Sequence, residues 1–300
     1  MQKNLQRVPA EETNRPVKRR GKGRLAWVVL ILLAAAALLY LGCTHQIGPF
    51  TPEEPERILY RGMLLDAAVG VPVNAYPQDG FATDDRGRVH FEWEGRQAKE
   101  GIDVSFYQGE IDWEAVAADG VDFAMIRLGY RGYTQGGLAL DSYFTRNIQG
   151  ALDAGLEVGV YFFSQAITPE EAEEEAQFVL DNLQGYDIRY PVVFDWEPIL
   201  PQSNARTDEM DPQLLTQCAA AFCAVIQQAG YDPMIYLNQD MGYLTFDLAQ
   251  LTDYPLWLAE YDTSPDFYYH FDLWQYTHSG TVDGIQGSVD WNLDLRGVLR

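Results

Sequence analysis

The chain has 300 residues, 47% of them hydrophobic and 13% aromatic, enough apolar matter for a substantial core and too much for wholesale disorder. Its net charge of −23 is unevenly spread: residues 1–24 carry eight basic and two acidic side chains, which leaves −29 on the remainder. So acidic a body excludes nucleic acid as a partner, because that binding rests on neutralising phosphates.

In chain order, the first feature is the basic tail 1–24, followed by the run LAWVVLILLAAAALLYL over 25–41, which holds neither a charge nor a proline. A bilayer needs roughly 20 apolar residues and accepts about 17. The basic cluster ahead of the run assigns residues 1–24 to the cytoplasm and the rest to the outside. A transmembrane signal anchor over 25–42 is therefore expected, placing the protein at the cell membrane with its body extracytoplasmic. The alternative is a lipoprotein anchored at Cys43, since Leu41-Gly42-Cys43 is similar to the end of such a signal, although Tyr40 departs from it.

Residues 43–56, with Pro49, Pro52 and Pro55 among Glu53, Glu54 and Glu56, read as a stiff acidic linker. Residues 57–99 read as a small β-rich extension, because Val89, Phe91 and Trp93 alternate with His90, Glu92 and Glu94 after a turn at Asp84-Asp85-Arg86-Gly87. The pattern says nothing of its role.

From residue 100 to 300 the pattern becomes regular. Strand-like runs occur at 101–108, 123–130, 158–165, 190–197, 234–238, 256–261, 273–277 and 290–295. Helical patterns separate the earlier ones: 141–154 closes at Gly155, Thr168-Pro169-Glu170-Glu171 opens a second helix, and Asp211-Pro212 opens a third that closes at Gly230. Alternating strands and helices imply an α/β fold with a parallel sheet, here an irregular (β/α) TIM-like barrel with little helix in its last third. An open doubly wound sheet is the alternative, without a glycine-rich phosphate loop after its first strand. Cys218 and Cys223, five apart on one helix, are too distant for a disulfide and read as small buried apolar residues. His45, His90, His270 and His278 stand in no ligand spacing, so neither a metal nor a cofactor is expected.

The organising stretch is Tyr190-Pro191-Val192-Val193-Phe194-Asp195-Trp196-Glu197, an apolar run ending in two carboxylates. Side chains alternate along a strand, so Asp195 and Glu197 share one face and Trp196 takes the other. Strand ends of a barrel converge on one rim, where α/β enzymes keep their chemistry. Reading those ends collects Asp103 and Ser105, Arg127, Tyr161, Phe163 and Gln165. After Asp195 and Glu197 come Tyr236 and Asn238, then Trp257 and Tyr261, then Trp274, Gln275 and Tyr276, and finally Asp290. Acids and aromatic faces without a cation cluster suit a neutral polymeric sugar, and hydrolysis of its glycosidic bonds calls for one protonated carboxyl and a second carboxylate.

These residues also carry a resemblance. Gly101-Ile102-Asp103-Val104-Ser105 with Gln108-Gly109 and Ile111-Asp112-Trp113 resembles the opening strand of the family 25 glycoside hydrolases, the muramidases or lysozymes of bacterial and phage type. Asp195-Trp196-Glu197, Trp257-Leu258-Ala259-Glu260-Tyr261, Trp274-Gln275-Tyr276-Thr277 and Gly284-Ile285 through Val289-Asp290 are similar in content and order, over about residues 100–297. The resemblance implies a modified (β/α) barrel that cleaves the β-1,4 bond between N-acetylmuramic acid and N-acetylglucosamine in peptidoglycan glycan strands. It implies Glu197 as general acid/base, Asp195 as the group that orients the 2-acetamido group or stabilises charge, and Asp103 and Asp290 as completing the acidic cluster. Arg127, Tyr161, Phe163, Gln165, Tyr236, Asn238, Trp257, Tyr261, Trp274 and Gln275 are expected to bind substrate. A monomer tethered to the membrane is expected. A non-catalytic wall-binding scaffold and another N-acetylhexosamine hydrolase of chitinase type are the competing readings.

Overall fold

Strands that bury both faces need covering on both, and closure into a barrel with helices outside meets that demand. The computed structural model describes residues 56–199 and 203–299, with Leu32 and Leu33. The expected membrane segment 25–42 (those two residues apart), the basic tail and nearly all of the linker lie outside the described residues. Among those described, no helix is long and apolar enough to cross a membrane.

The amino-terminal strands are β1 (Arg57–Tyr60), β2 (Met63–Asp66), β3 (Phe81–Thr83), β4 (Val89–Trp93) and β5 (Arg96–Gln97). Then follow β6 (Lys99–Val104), β7 (Phe123–Arg131), β8 (Leu138–Leu140), β9 (Glu157–Ser164) and β10 (Val192–Trp196). The last four are β11 (Pro233–Asn238), β12 (Leu256–Ala259), β13 (Leu273–Gly280) and β14 (Val289–Asp294). The sheet order β6-β14-β13-β12-β11-β10-β9-β7 closes through the β6–β7 pairing into an eight-strand barrel, and β8 folds back on β7 outside the ring.

Neighbours run parallel from β6 round to β13, but β14 is antiparallel to both β13 and β6. The barrel is therefore mixed, which corrects the expectation of a TIM-like (β/α) ring. Only residues 281–288 join β13 to β14, too few for the parallel crossover, which takes a dozen or more.

Helices cover the outside where the connections are long. Asp211 caps Pro212–Gln228 by accepting from the amides of Gln213 and Leu214, and Thr168 caps Pro169–Leu183 through the Glu171 amide. Both carry proline in the first turn, where its missing N–H costs nothing. Cys218 and Cys223 are buried and unpaired on the Pro212–Gln228 helix. The alternation along each strand sorts the core in two. Ile102, Ala124, Phe162, Phe194, Leu258 and Trp274 belong to the layer outside the barrel, and Phe123, Met125, Val193, Met234 and Leu273 to the barrel interior. The floor is plugged by Phe123 stacked on Tyr190, with centroids 4.4 Å apart.

The extension covers the side that the short late connections leave bare. Phe81 meets Trp274 edge-on, Arg88 lies over the Trp291 ring, and Val89 and Phe91 are buried in the same core as the barrel's outer layer. Residues 72–74 pair with 268–270 through Asn74 N–H to the Tyr268 carbonyl (2.9 Å) and His270 N–H to the Pro72 carbonyl (2.8 Å). The extension thus does for β13 and β14 what helices do elsewhere. Phe91→Ala is expected to lower stability by about 3–5 kcal/mol in urea unfolding. A loss below about 1 kcal/mol, the scale of a surface change, would mean that the barrel does not depend on this cover.

Candidate active site

The carboxyl ends of the seven parallel strands and the amino end of β14 surround a cavity of about 680 Å³. Asp103 from β6, Asp195 from β10, Glu197 just beyond β10, and Asp290 from β14 all line it. Strand register explains the convergence. Asp290 stands directly across the antiparallel pair from Asp103, and Asp195 lies beside Phe163 on one neighbour and Tyr236 on the other. Trp196, between the two acids, turns into the outer core.

Asp103 is held by a buried hydrogen-bond chain. Its Oδ2 accepts from Gln275 Nε2 and Asn292 Nδ2, both at 2.8 Å. Gln275 Oε1 in turn accepts from the hydroxyls of Tyr236 (3.0 Å) and Tyr261 (3.1 Å), and Asn292 Oδ1 accepts from Trp257 Nε1 at 2.8 Å. Each amide is oriented because one end meets a carboxylate and the other meets only donors. Asp195 differs: its buried Oδ1 has no hydrogen-bond partner among the described residues.

Burial acts on all four acids, and repulsion from a neighbouring carboxylate on Asp103, Asp195 and Glu197. Burial, then Asp290, lifts Asp103 well above the usual carboxylate range; burial, then Glu197 and Asp103, does the same to Asp195. Glu197 is raised by burial and then by Asp290, and Asp290 by burial. Asp103 and Asp290 are also hydrogen-bonded to each other, so the two titrate as a pair rather than singly.

Arg127 and Arg131 are the cations among the residues lining this cavity, and Arg127 lies at the aromatic mouth. Its guanidinium bonds Asp141 Oδ2 at 2.8 Å, and the Asp141 side chain, wholly removed from solvent, also accepts the Phe106 and Tyr143 amides. The rings of Phe106, Tyr107 and Tyr130 lie 5.0–5.7 Å from the guanidinium carbon, the geometry of a cation–π cluster. Tyr107 is 75% exposed, leaving a broad aromatic face at the mouth.

Of the residues expected to bind substrate, Arg127, Tyr161, Phe163, Tyr236, Trp257, Tyr261 and Gln275 line the cavity. Three do not. Trp274 is fully buried outside the barrel, donating to the Glu260 carbonyl at 2.8 Å; it neighbours inward-facing Gln275, and adjacent strand residues cannot share a face. Tyr276 is in the outer core for the same reason. Gln165 follows the last residue of β9 and is buried in the loops, donating to the Glu197 carbonyl at 3.2 Å and accepting the Thr207 hydroxyl at 2.6 Å. It fixes the backbone that carries Glu197. Asn238 caps the next turn through the Met241 amide and lines a smaller neighbouring cavity. Sequence reasoning missed Asp141, Asn292 and the aromatic mouth. Asn292 shares a strand face with Asp290 two residues earlier, a signal that was available; Asp141 carries none beyond its position before a helix.

Residues 102–285 match the model of the Glycosyl hydrolases family 25. An autolytic lysozyme of Clostridium acetobutylicum is 30% identical over 200 residues, 66% of this chain and 56% of that protein. Lysozyme M1 of Streptomyces globisporus is 28% identical over 285 residues, 90% of this chain and 91% of that protein. Among solved structures, the modular autolysin LytC of Streptococcus pneumoniae, in complex with synthetic peptidoglycan ligand, is similar at a TM-score of 0.58 and 26% identity, covering 71% of this chain and 52% of that one. A family 25 glycosyl hydrolase of Bacillus anthracis shares the fold at a TM-score of 0.55 and 22% identity, over 68% of this chain and 92% of that one. The chain therefore spans little more than half the length of the clostridial lysozyme and of LytC.

The crowded acids set a stability test. A carboxyl raised on folding holds its proton after the unfolded chain has released it, so its contribution is present below the unfolded value and falls away as pH rises through the folded one. Asp195→Asn removes one such group and is expected to melt above the wild type near neutral pH, with the gap closing toward pH 4, near the unfolded aspartate value. Equal melting temperatures across that range would show that Asp195 carries no such strain.

Proposed function

This chain belongs to the Glycosyl hydrolases family 25, and we propose that it hydrolyses peptidoglycan by cleaving the β-1,4 bond between N-acetylmuramic acid and N-acetylglucosamine. The observation that carries this reading is the unpartnered inner oxygen of Asp195 beside Glu197 in a cavity of buried, proton-retaining acids.

In this reading Glu197 is the general acid/base. Its raised value keeps it protonated closer to neutral pH, and its proton passes to the glycosidic oxygen as the C1–O bond breaks. Asp195 Oδ1 accepts the N–H of the substrate's 2-acetamido group, turning the acetamido oxygen toward C1, where it forms a bond as the leaving sugar departs. Water then adds at C1, giving its proton to the Glu197 carboxylate and its hydroxyl to the sugar, and the acetamido group is restored. This is the substrate-assisted variant of glycoside hydrolysis, and it retains the anomeric configuration. Asp103, fixed by Gln275 and Asn292, and Asp290 hold the sugar and water from the opposite wall. Tyr161, Phe163, Trp257 and Tyr261 offer ring faces and edges to the sugar's C–H surfaces.

The basic tail and charge-free apolar run support a further reading: the enzyme is tethered to the outer face of the membrane, with residues 43–56 as spacer. Recovery of the full chain in the membrane fraction, with residues 57–300 open to added protease on intact spheroplasts, is the expected outcome.

Glu197→Gln is expected to fold normally and to lose at least about a hundredfold in turnover of cell-wall suspensions, the usual scale for a general acid. Wild-type clearing by that variant would falsify the assignment. Asp195→Asn is expected to lose turnover severely while still binding glycan fragments. New reducing ends on muramic acid identify the bond named here, and ends on glucosamine would replace it with a glucosaminidase.

A further inference from the structure

A second cavity, of about 280 Å³, adjoins the first and shares Glu197, Tyr236 and Tyr261 with it. Its far wall comes from the amino-terminal extension, before the family-matched residues 102–285: Tyr60 and Arg61, at the turn between β1 and β2. Tyr60 is packed against Tyr243 at 4.6 Å and donates to Asp240 Oδ1 at 2.9 Å. Arg61 reaches the same oxygen at 2.8 Å, with its side chain 65% exposed. The turn is thus fastened to the barrel by Tyr60 and leaves most of the Arg61 guanidinium free beside the groove.

Backbone geometry adds an independent observation. Arg61 and Gly62 have φ of 48° and 79°, the left-handed pair of a tight hairpin turn. Asn-Gly is the preferred dipeptide there, and arginine is not. Glu94-Gly95 makes a turn of the same kind, but among the described residues of the extension it is the Arg61 turn that lines the cleft. Such a cost at a site is a reason to look for function.

We propose that the β1–β2 turn completes an additional sugar subsite on the side of Glu197 away from Asp103, built for a neutral N-acetylhexosamine of the glycan strand. This rests on the reading of the cleft as a glycosidase site. An enzyme cutting within a strand holds sugars on both sides of the broken bond, and Glu197 stands on the boundary between the two cavities. The ligand chemistry follows from the lining. Arg61 is balanced by Asp240, Asn238 and Gln239 supply amides, and Glu260 and Glu197 add acids. That set bonds hydroxyl and acetamido groups and turns away a phosphate or a free carboxylate.

Arg61→Asn tests it, because asparagine adopts the left-handed turn more readily and the hairpin is expected to melt no earlier. Binding of peptide-free glycan tetrasaccharide and octasaccharide is measured by calorimetry in the Glu197→Gln background, so that nothing is cleaved. The advantage of octasaccharide over tetrasaccharide is expected to fall about tenfold on Arg61→Asn, the scale of one charged hydrogen-bonding group lost. The same advantage in both proteins would overturn the subsite. The hydrolase reading is judged separately, by release of reducing ends from the wild type, and the binding ratio decides the subsite whatever that assay returns.

Discussion

Four carboxyl groups brought to one rim repel one another, and the closure of the barrel is what keeps them there. The antiparallel β14 is the closing strand, and it sets Asp290 directly opposite Asp103. Solvation, which would relieve the repulsion, is withheld by the aromatic walls. Proton retention remains, together with the donor chain through Gln275 and Asn292 that steadies Asp103. The same crowding that costs stability keeps a carboxyl protonated where a general acid needs it. Fold and chemistry are therefore coupled at one place: the strand that makes the ring mixed rather than all-parallel also supplies a member of the acid cluster.

Much of this is legible in the residues, because a strand's period is short and strict. Asp195 and Glu197 at i, i+2 with Trp196 turned outward follows from alternation alone. So does the placement of Tyr161 with Phe163 on the cavity wall. The same rule, applied evenly, would have set Trp274 and Tyr276 aside once Gln275 was assigned to the interior. Gln165 shows where alternation ends: β9 stops at Ser164, and one residue later the chain answers to loop hydrogen bonds. The direction of β14 was not legible: the strand patterns leave residues 278–289 between them, enough for a crossover, and only the extension of β13 to Gly280 makes the connection too short. Asp141 was not legible either, because its partners Arg127 and Phe106 come from two different strand ends and no local pattern links them. Nor could the alternating run Val89–Trp93 say which surface it would cover.

The extension gives the chain a second layer of meaning. Late connections in the barrel carry only short helical turns, and Phe81 of β3 and Arg88 just before β4 cover Trp274 and Trp291 instead. Once docked for that reason, the same segment delivers the β1–β2 turn to the lip of the groove. A cover built for packing can thus lengthen a binding cleft at little added cost, since the contacts that hold it are already made.

The central claim is that Asp195 and Glu197 keep their protons above the ordinary carboxylate range because they are buried together. Carbon-13 NMR titration of the side-chain carboxyls, with Asp195→Asn and Glu197→Gln used to assign the signals, measures this directly. Both carboxyls are expected to titrate above the free aspartate and glutamate values of about 3.9 and 4.3, and removal of Glu197 is expected to lower Asp195. Two carboxyls titrating independently at those ordinary values would contradict the account.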